Sequence, residues 1–361
     1  MTMPPSGQWP PPPQGPAPQV VAPGPPKGGN RAKWVLGALA VLAVVVITVV
    51  ATLFVTKGDS RPATPNASTS PSSSLIASEF ASANDRGPAN IITEDPTCAA
   101  WGPINDTLSA EQHKGWDTRN PAISSSDWSL EQRTQYEKVA RNMRSAADQT
   151  VALMKRTPHR VMRELYAQTI AYWRAYSESV DTYRPEDDHL ALTANSLSGS
   201  IVWICAAIDF GASAARTPLV ASGAPPQHFE ATGDASSPTR FISGSPPFCA
   251  DWRQMTDDFS ADIRDWVERT DPNIASPQWS PEQRDLYTQV RSVMEENADQ
   301  MQQLGLQSDD PVVSDFAALS AQYRRGFVQA IPTYSPQDTY LANTASDLQA
   351  AVDQACQAGT V

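Results

Sequence analysis

Histidine is scarce. The 361-residue chain has four, His113, His159, His189 and His228, and no two stand at the i, i+4 spacing that puts two imidazoles on one helix face. Cysteine is equally rare: Cys98, Cys205, Cys249 and Cys356 stand far apart, with no C-x-x-C pair among them. No metal site is expected, and no cofactor. A glycine-rich phosphate loop and a nucleophile elbow are both missing, and no Ser-x-x-Lys recurs, so no catalytic residue is assigned. Positive charge is in deficit, with 27 Lys and Arg against 39 Asp and Glu and a net charge of -12. Everything before Lys57 is basic or neutral, so the remainder carries 39 acidic against 24 basic side chains. That balance argues against nucleic acid or an anionic lipid surface as its partner. Strand-like alternation is absent throughout.

One long apolar run is present. Residues 34–55 (WVLGALAVLAVVVITVVATLFV) hold 22 uncharged positions, from Trp34 to Val55, enough for a helix to span about 30 Å of hydrocarbon. Arg31 and Lys33 precede it and no acid does, which places the N-terminus in the cytoplasm and the rest outside. The run is too long, and starts too late, for a cleaved signal peptide. The expected location is therefore the cell membrane, single-pass, with the cytoplasmic membrane itself as one partner.

The prolines are clustered, eleven of them in the first 26 residues. Residues 1–33 read as a disordered Pro-rich tail of polyproline II character. Residues 56–97 read as a disordered Ser/Thr/Pro-rich linker, and residues 206–248 as a connector of similar composition, with too little apolar surface to offset chain entropy.

Sliding the chain against itself by 151 residues lays Cys98 on Cys249 and Cys205 on Cys356 without a gap. About a third of the aligned positions are identical, among them Trp101 with Trp252, Trp128 with Trp279, Tyr136 with Tyr287 and Tyr183 with Tyr334. Residues 98–205 and 249–356 are thus expected to be two copies of one domain. The first has 13 acidic and 12 basic residues, the second 18 and 7.

Each copy reads as four helices. Trp252, Met255, Phe259, Ile263 and Trp266 recur at helical spacing, whereas Gly115 makes the matching stretch of the first copy less regular. The second helix opens on Ser129 or Ser280 with Gln132 or Gln283 three positions on, a capping box. Its buried face would be Tyr136, Val139, Met143 and Ala147, or Tyr287, Val290, Met294 and Ala298. A third helix begins near Arg160 or Pro311, and a fourth follows Pro185 or Pro336. The fold class is all-α: one transmembrane helix, then two tandem four-helix-bundle-like repeats, each closed by a disulfide. The duplication favours Cys98 with Cys205 and Cys249 with Cys356, since the two ends of an up-down-up-down bundle meet. A bridge closing so long a loop stabilises by up to about 4 to 5 kcal/mol, on the oxidising side of a membrane.

Adjacent carboxylates such as Asp187 and Asp188 point about 100° apart on a helix and are expected at the surface. One polar group recurs in both copies: Asp148, Tyr172 and Arg174, matched by Asp299, Tyr323 and Arg325. An arginine among aromatics either receives an anionic ligand or pairs with an internal acid to hold two helices in register. The second use is expected here.

The Pro-rich tail with its PPPPQGPAP stretch, the anchor, the linker and the Cys-containing outer domain resemble uncharacterised mycobacterial-type envelope proteins. That resemblance implies a place, the actinobacterial cell membrane and the space outside it, and no named activity. Taken together the chain reads as a membrane-anchored, extracytoplasmic interaction or sensing module without catalysis, its partners other envelope proteins or envelope components. The alternative is an envelope enzyme or carrier that binds an apolar or anionic ligand inside a helical bundle.

Overall fold

The computed structural model describes residues 79–359. The apolar run at residues 34–55 and the Pro-rich tail lie outside the described residues. Leu75–Val361 forms one compact unit, and among its described residues every regular element is helical. The long helices are α1 (Cys98–Gln112), α2 (Leu130–Arg156), α3 (Arg160–Ser179) and α4 (Asp188–Asp209). After the short α5 (Ala212–Arg216) come α6 (Phe248–Asp262), the short α7 (Arg264–Arg269), α8 (Pro281–Gln307), α9 (Pro311–Ala330) and α10 (Thr339–Ala358).

Local chemistry sets these bounds. Ser129 accepts from the Gln132 amide at 3.2 Å while the Gln132 side chain takes the Ser129 amide at 2.9 Å, completing the cap of α2. At α8 only half of that cap forms. Ser280 takes the Gln283 amide, but the Gln283 side chain turns away and donates to the Asp271 carbonyl at 2.9 Å. The expected inner faces of α2 and α8 are buried in full, from Tyr136 to Ala147 and from Tyr287 to Ala298. The first helix of the second half breaks at Ile263 into α6 and α7. In the first half Gly115, at φ +104°, ends the turn instead. Both devices deliver an indole to the same aromatic layer: Trp116 lies edge-on to Tyr176 at 5.7 Å and Trp266 to Phe327 at 5.8 Å.

Cys98 bridges Cys205 and Cys249 bridges Cys356, with Cα atoms 5.4 and 5.5 Å apart. Each ties the start of a first helix to the end of a fourth. The hydrophobic core is continuous through the unit. Its centre is the packing of α4 on α10, where His189 meets Gln354 at 2.8 Å and Trp203 stacks on Tyr340 at 5.9 Å. His189 and Tyr340 are equivalent at the 151-residue offset, and so are Trp203 and Gln354. The two contacts are therefore mates under exchange of the halves. Among the described residues, Pro185–Asp209 is long and apolar enough to cross a membrane by length and composition. It is built here as an inner helix, with Leu190, Ala194, Leu197 and Ile201 all buried and Cys205 bridged.

Two stretches expected to lack structure are packed. Phe80, Ala89, Ile91 and Ile92, placed in the 56–97 linker, are buried. The Ile92 amide donates to the Tyr323 hydroxyl at 3.2 Å, and Ile91 lies where a Cβ on Gly326 would come within 2.8 Å. The stretch around residue 241 answers this on the other half. Phe241 sits edge-on to Tyr172 at 5.9 Å and to Phe316 at 5.5 Å, and the Gln168 side chain accepts from the Phe241 amide. Average composition hid these segments, because a few clustered apolar residues suffice when a groove already exists to receive them. Each arm precedes one half and touches both: Asp85 and Gly87 bond Arg160 of the half that follows, and Gly244 bonds Gly359, while Ile92 and Phe241 reach across to the other half.

Candidate functional site

Each of the repeated arginines pairs with the aspartate on the neighbouring helix. Arg174 on α3 donates to Asp148 on α2 at 2.8 Å and to the Ser236 carbonyl. Arg325 on α9 donates to Asp299 on α8 at 2.7 Å and to Gln302 at 2.8 Å. Both pairs lie at the rim rather than in the interior, with the Asp148 side chain 72% exposed. Tyr172 and Tyr323 point the other way, into the core, where burial raises the pKa of each phenol. The expected constellation is thus split: the arginines lace neighbouring helices and the tyrosines receive the arms. Arg325, Asp299 and Glu295 also line a cleft of about 280 Å³ whose other wall is Leu219, Val220 and Ala221. A double-mutant cycle on Arg174 and Asp148 is expected to return a coupling below about 1 kcal/mol, since an exposed pair is screened by water. A larger value in chemical denaturation would contradict the rim position.

The surface expectation for Asp187 and Asp188 does not hold. Both are buried. Asp187 accepts the Arg184 amide at 2.7 Å, and Asp188 pairs with Arg119, whose guanidinium lies 3.5 Å over the Trp116 ring. The turn before α4 points both carboxylates at donors, which sequence adjacency does not reveal.

A denser polar cluster lies where the halves meet. Arg160 opens α3 and is 2% exposed. Its Nε and one terminal nitrogen each reach Asp315 of α9 at 2.7 Å, in the bidentate fork that suits a carboxylate. Its other terminal nitrogen donates to the Gly87 carbonyl at 2.9 Å, and its amide to Asp85 at 2.7 Å. Glu164, one turn on, lies 3.8 Å from Arg160 and 3.3 Å from Arg163. Burial and the neighbouring Asp315 carboxylate raise the Glu164 pKa well above its ordinary value. Glu164 and Asp315 are equivalent at the 151-residue offset, so an acid meets its own counterpart. The sequence carried a weak trace of this, a carboxylate at the same position of both copies, but Glu and Asp do not score as identical. Arg160 had no trace at all, since its counterpart is Pro311.

Glu164 holds its proton more tightly folded than unfolded. Its contribution is fully present below the ordinary value of 4.5 and drains away as pH rises toward the folded value. Glu164→Gln, which keeps the shape of the protonated acid, is expected to flatten the fall of Tm between pH 5 and pH 8. It should raise Tm at pH 8 relative to the wild type. An unchanged slope in a thermal melt series would contradict the shift.

Among the described residues no three His, Cys, Asp or Glu side chains gather as a metal-holding group. A family model described as mycobacterial ESX-1 associated protein matches residues 80–360, opening at Phe80, the first buried residue of the leading arm. An uncharacterized protein of Mycolicibacterium smegmatis (strain MKD8) is 45% identical over 369 residues, covering 99% of this chain and 97% of its own length. No solved structure matches. With a family model spanning the arms, the helices and the stretch that joins the halves, the chain belongs to the mycobacterial ESX-1 associated protein family.

Proposed function

We propose that this protein is a membrane-tethered accessory of the secretion system after which its family is described, acting by binding rather than by chemistry. Residues 34–55 would anchor it, residues 1–33 would face the cytoplasm, and residues 98–205 and 249–356 would stand outside as two fused copies of a four-helix bundle. The observation that carries a binding role is the use of the shared polar group: Arg174 and Arg325 each pair with an interhelical acid, beside cores filled by aromatic side chains. They brace a scaffold instead of waiting for a substrate. The two disulfides support an oxidising compartment, and Arg31 and Lys33 before the apolar run support the orientation. The partners inferred are other components of the secretion assembly in the envelope.

The experiment is cross-linking of the full-length chain in mycobacterial cells, followed by affinity purification, beside reporter fusions at the C-terminus. Recovery of secretion-system components and an extracytoplasmic reporter signal are expected. A cytoplasmic reporter signal would sink the topology. Recovery no higher than from a strain with an unrelated single-pass protein would sink the partner.

A further inference from the structure

Position 324 is where the halves diverge most sharply in chemistry. In the first half it is Trp173, fully buried and stacked on Trp101 at 5.9 Å. In the second it is Arg324, 1% exposed, with its guanidinium 4.4 Å from the Phe259 ring centroid. The other buried arginines Arg119, Arg160 and Arg163 each touch a carboxylate. Arg324 has neutral partners instead: Ser346 Oγ at 3.3 Å and Gln349 Oε1 at 3.1 Å. Its Nε is buried with no hydrogen-bond partner. Burial pushes its pKa down to about 9, which leaves the group a cation at neutral pH.

A buried charge without a counter-charge is strongly unfavourable, and arginine does not escape by losing its proton. The surroundings mark where a counter-charge would enter. Ser346 on α10, half-buried, bonds the guanidinium directly, and Thr256 on α6, also half-buried, joins the same group through the Gln349 side-chain amide, which donates to it at 3.2 Å. Both hydroxyls are free to turn a proton toward an anion. The interior below is filled by Trp252, Met255 and Phe259, which leaves no room for a bulky group. One cation in a half carrying 18 acids and 7 bases neutralises a single negative charge and no more.

We propose that Arg324 is the receptor for one small monovalent anion, a halide or a lone carboxylate, admitted between Thr256 and Ser346. The bound anion closes the seam between the first and fourth helices of the second half, about two helical turns from the Cys249–Cys356 bridge. This site is independent of the secretion role and stands on its own residues.

The test is the thermal midpoint of the full chain in detergent at constant ionic strength, with sodium chloride, acetate or the bulky isethionate as the only salt. Chloride or acetate is expected to raise the midpoint over isethionate by roughly 3 to 6 °C. The Arg324→Met variant should show no such difference. A response to chloride alone assigns a halide, and a response to acetate alone assigns a carboxylate. Equal midpoints for the wild type in all three salts would overturn the site, as would a shift that survives Arg324→Met. Should that variant fail to fold, chloride-35 line broadening by the wild type decides. Broadening that Ser346→Ala weakens several-fold supports the site, and broadening that it leaves unchanged overturns it.

Discussion

Replacing Arg160 by methionine is expected to lower the unfolding free energy of the helical unit by about 3 to 5 kcal/mol. The guanidinium holds Asp315 in two hydrogen bonds of 2.7 Å and the Gly87 carbonyl in a third of 2.9 Å, all shielded from water. Methionine retains much of the side-chain bulk but none of the donors. Asp315, itself 2% exposed, would then face Glu164 with that counter-ion gone. Glu164, whose pKa burial and Asp315 already raise, relieves the repulsion by holding its proton, so the loss should be greater at pH 8 than at pH 5. The double variant Arg160→Met with Asp315→Asn removes the uncompensated charge and should recover a sizeable part of the loss. Arg141→Met is the control, because Arg141 is 58% exposed and meets Glu137 only at 3.9 Å. Denaturant midpoints that moved equally for Arg160 and Arg141 would show that the cluster does not hold the halves together.

Helices, their caps and the cystine pairing were legible because each is fixed by local spacing or by the self-comparison. The Ser129 cap needs only Gln132, three residues away, and the inner face of α2 is a matter of period. Contacts between the halves were not legible. Glu164 meets Asp315 and Arg160 meets Asp315 only because α3 and α9 cross at the joint, a fact of tertiary packing on which neither sequence window reports. The arms failed for a related reason. Phe80, Ile91, Phe241 and Ile242 are a thin scatter of apolar residues among Ser, Pro and Gly. The packing of Ile91 and Phe241 depends on Tyr172, Phe316 and Gly326 having already shaped a receiving groove. The depth of the repeated Arg and Asp pairs, at the rim rather than inside, was not legible, since the self-comparison gives equivalence and says nothing of burial. Arg324 lay next to Arg325 all along, masked because Trp173 at its counterpart made the position look unshared.

Removing either disulfide is expected to destabilise both halves at once. Each bridge closes 107 residues of chain, and the entropy withheld from the unfolded state corresponds to about 4 to 5 kcal/mol at most, with about 2 to 4 typical of real bridges. The two loops do not overlap, so the losses for Cys98→Ser with Cys205→Ser and for Cys249→Ser with Cys356→Ser should add in the quadruple variant. Where the loss appears is the sharper matter. If each half were a free-standing bundle, opening one bridge would lower one transition and leave the other in place. The core instead runs unbroken through α4 and α10, and each arm bonds to both halves. Neither half can then unfold without exposing the face of its mate, so a single cooperative transition should shift as a whole. Trp128 and Trp279 stand at equivalent positions of the two halves, and among the ten tryptophans of the chain their fluorotryptophan resonances, each assigned by its replacement with phenylalanine, allow the halves to be followed separately. In the variant lacking only Cys98 and Cys205, both indoles should report the same lowered midpoint. Separate midpoints, with the Trp279 signal unmoved, would mean that the joint between α4 and α10 is too weak to couple the two halves.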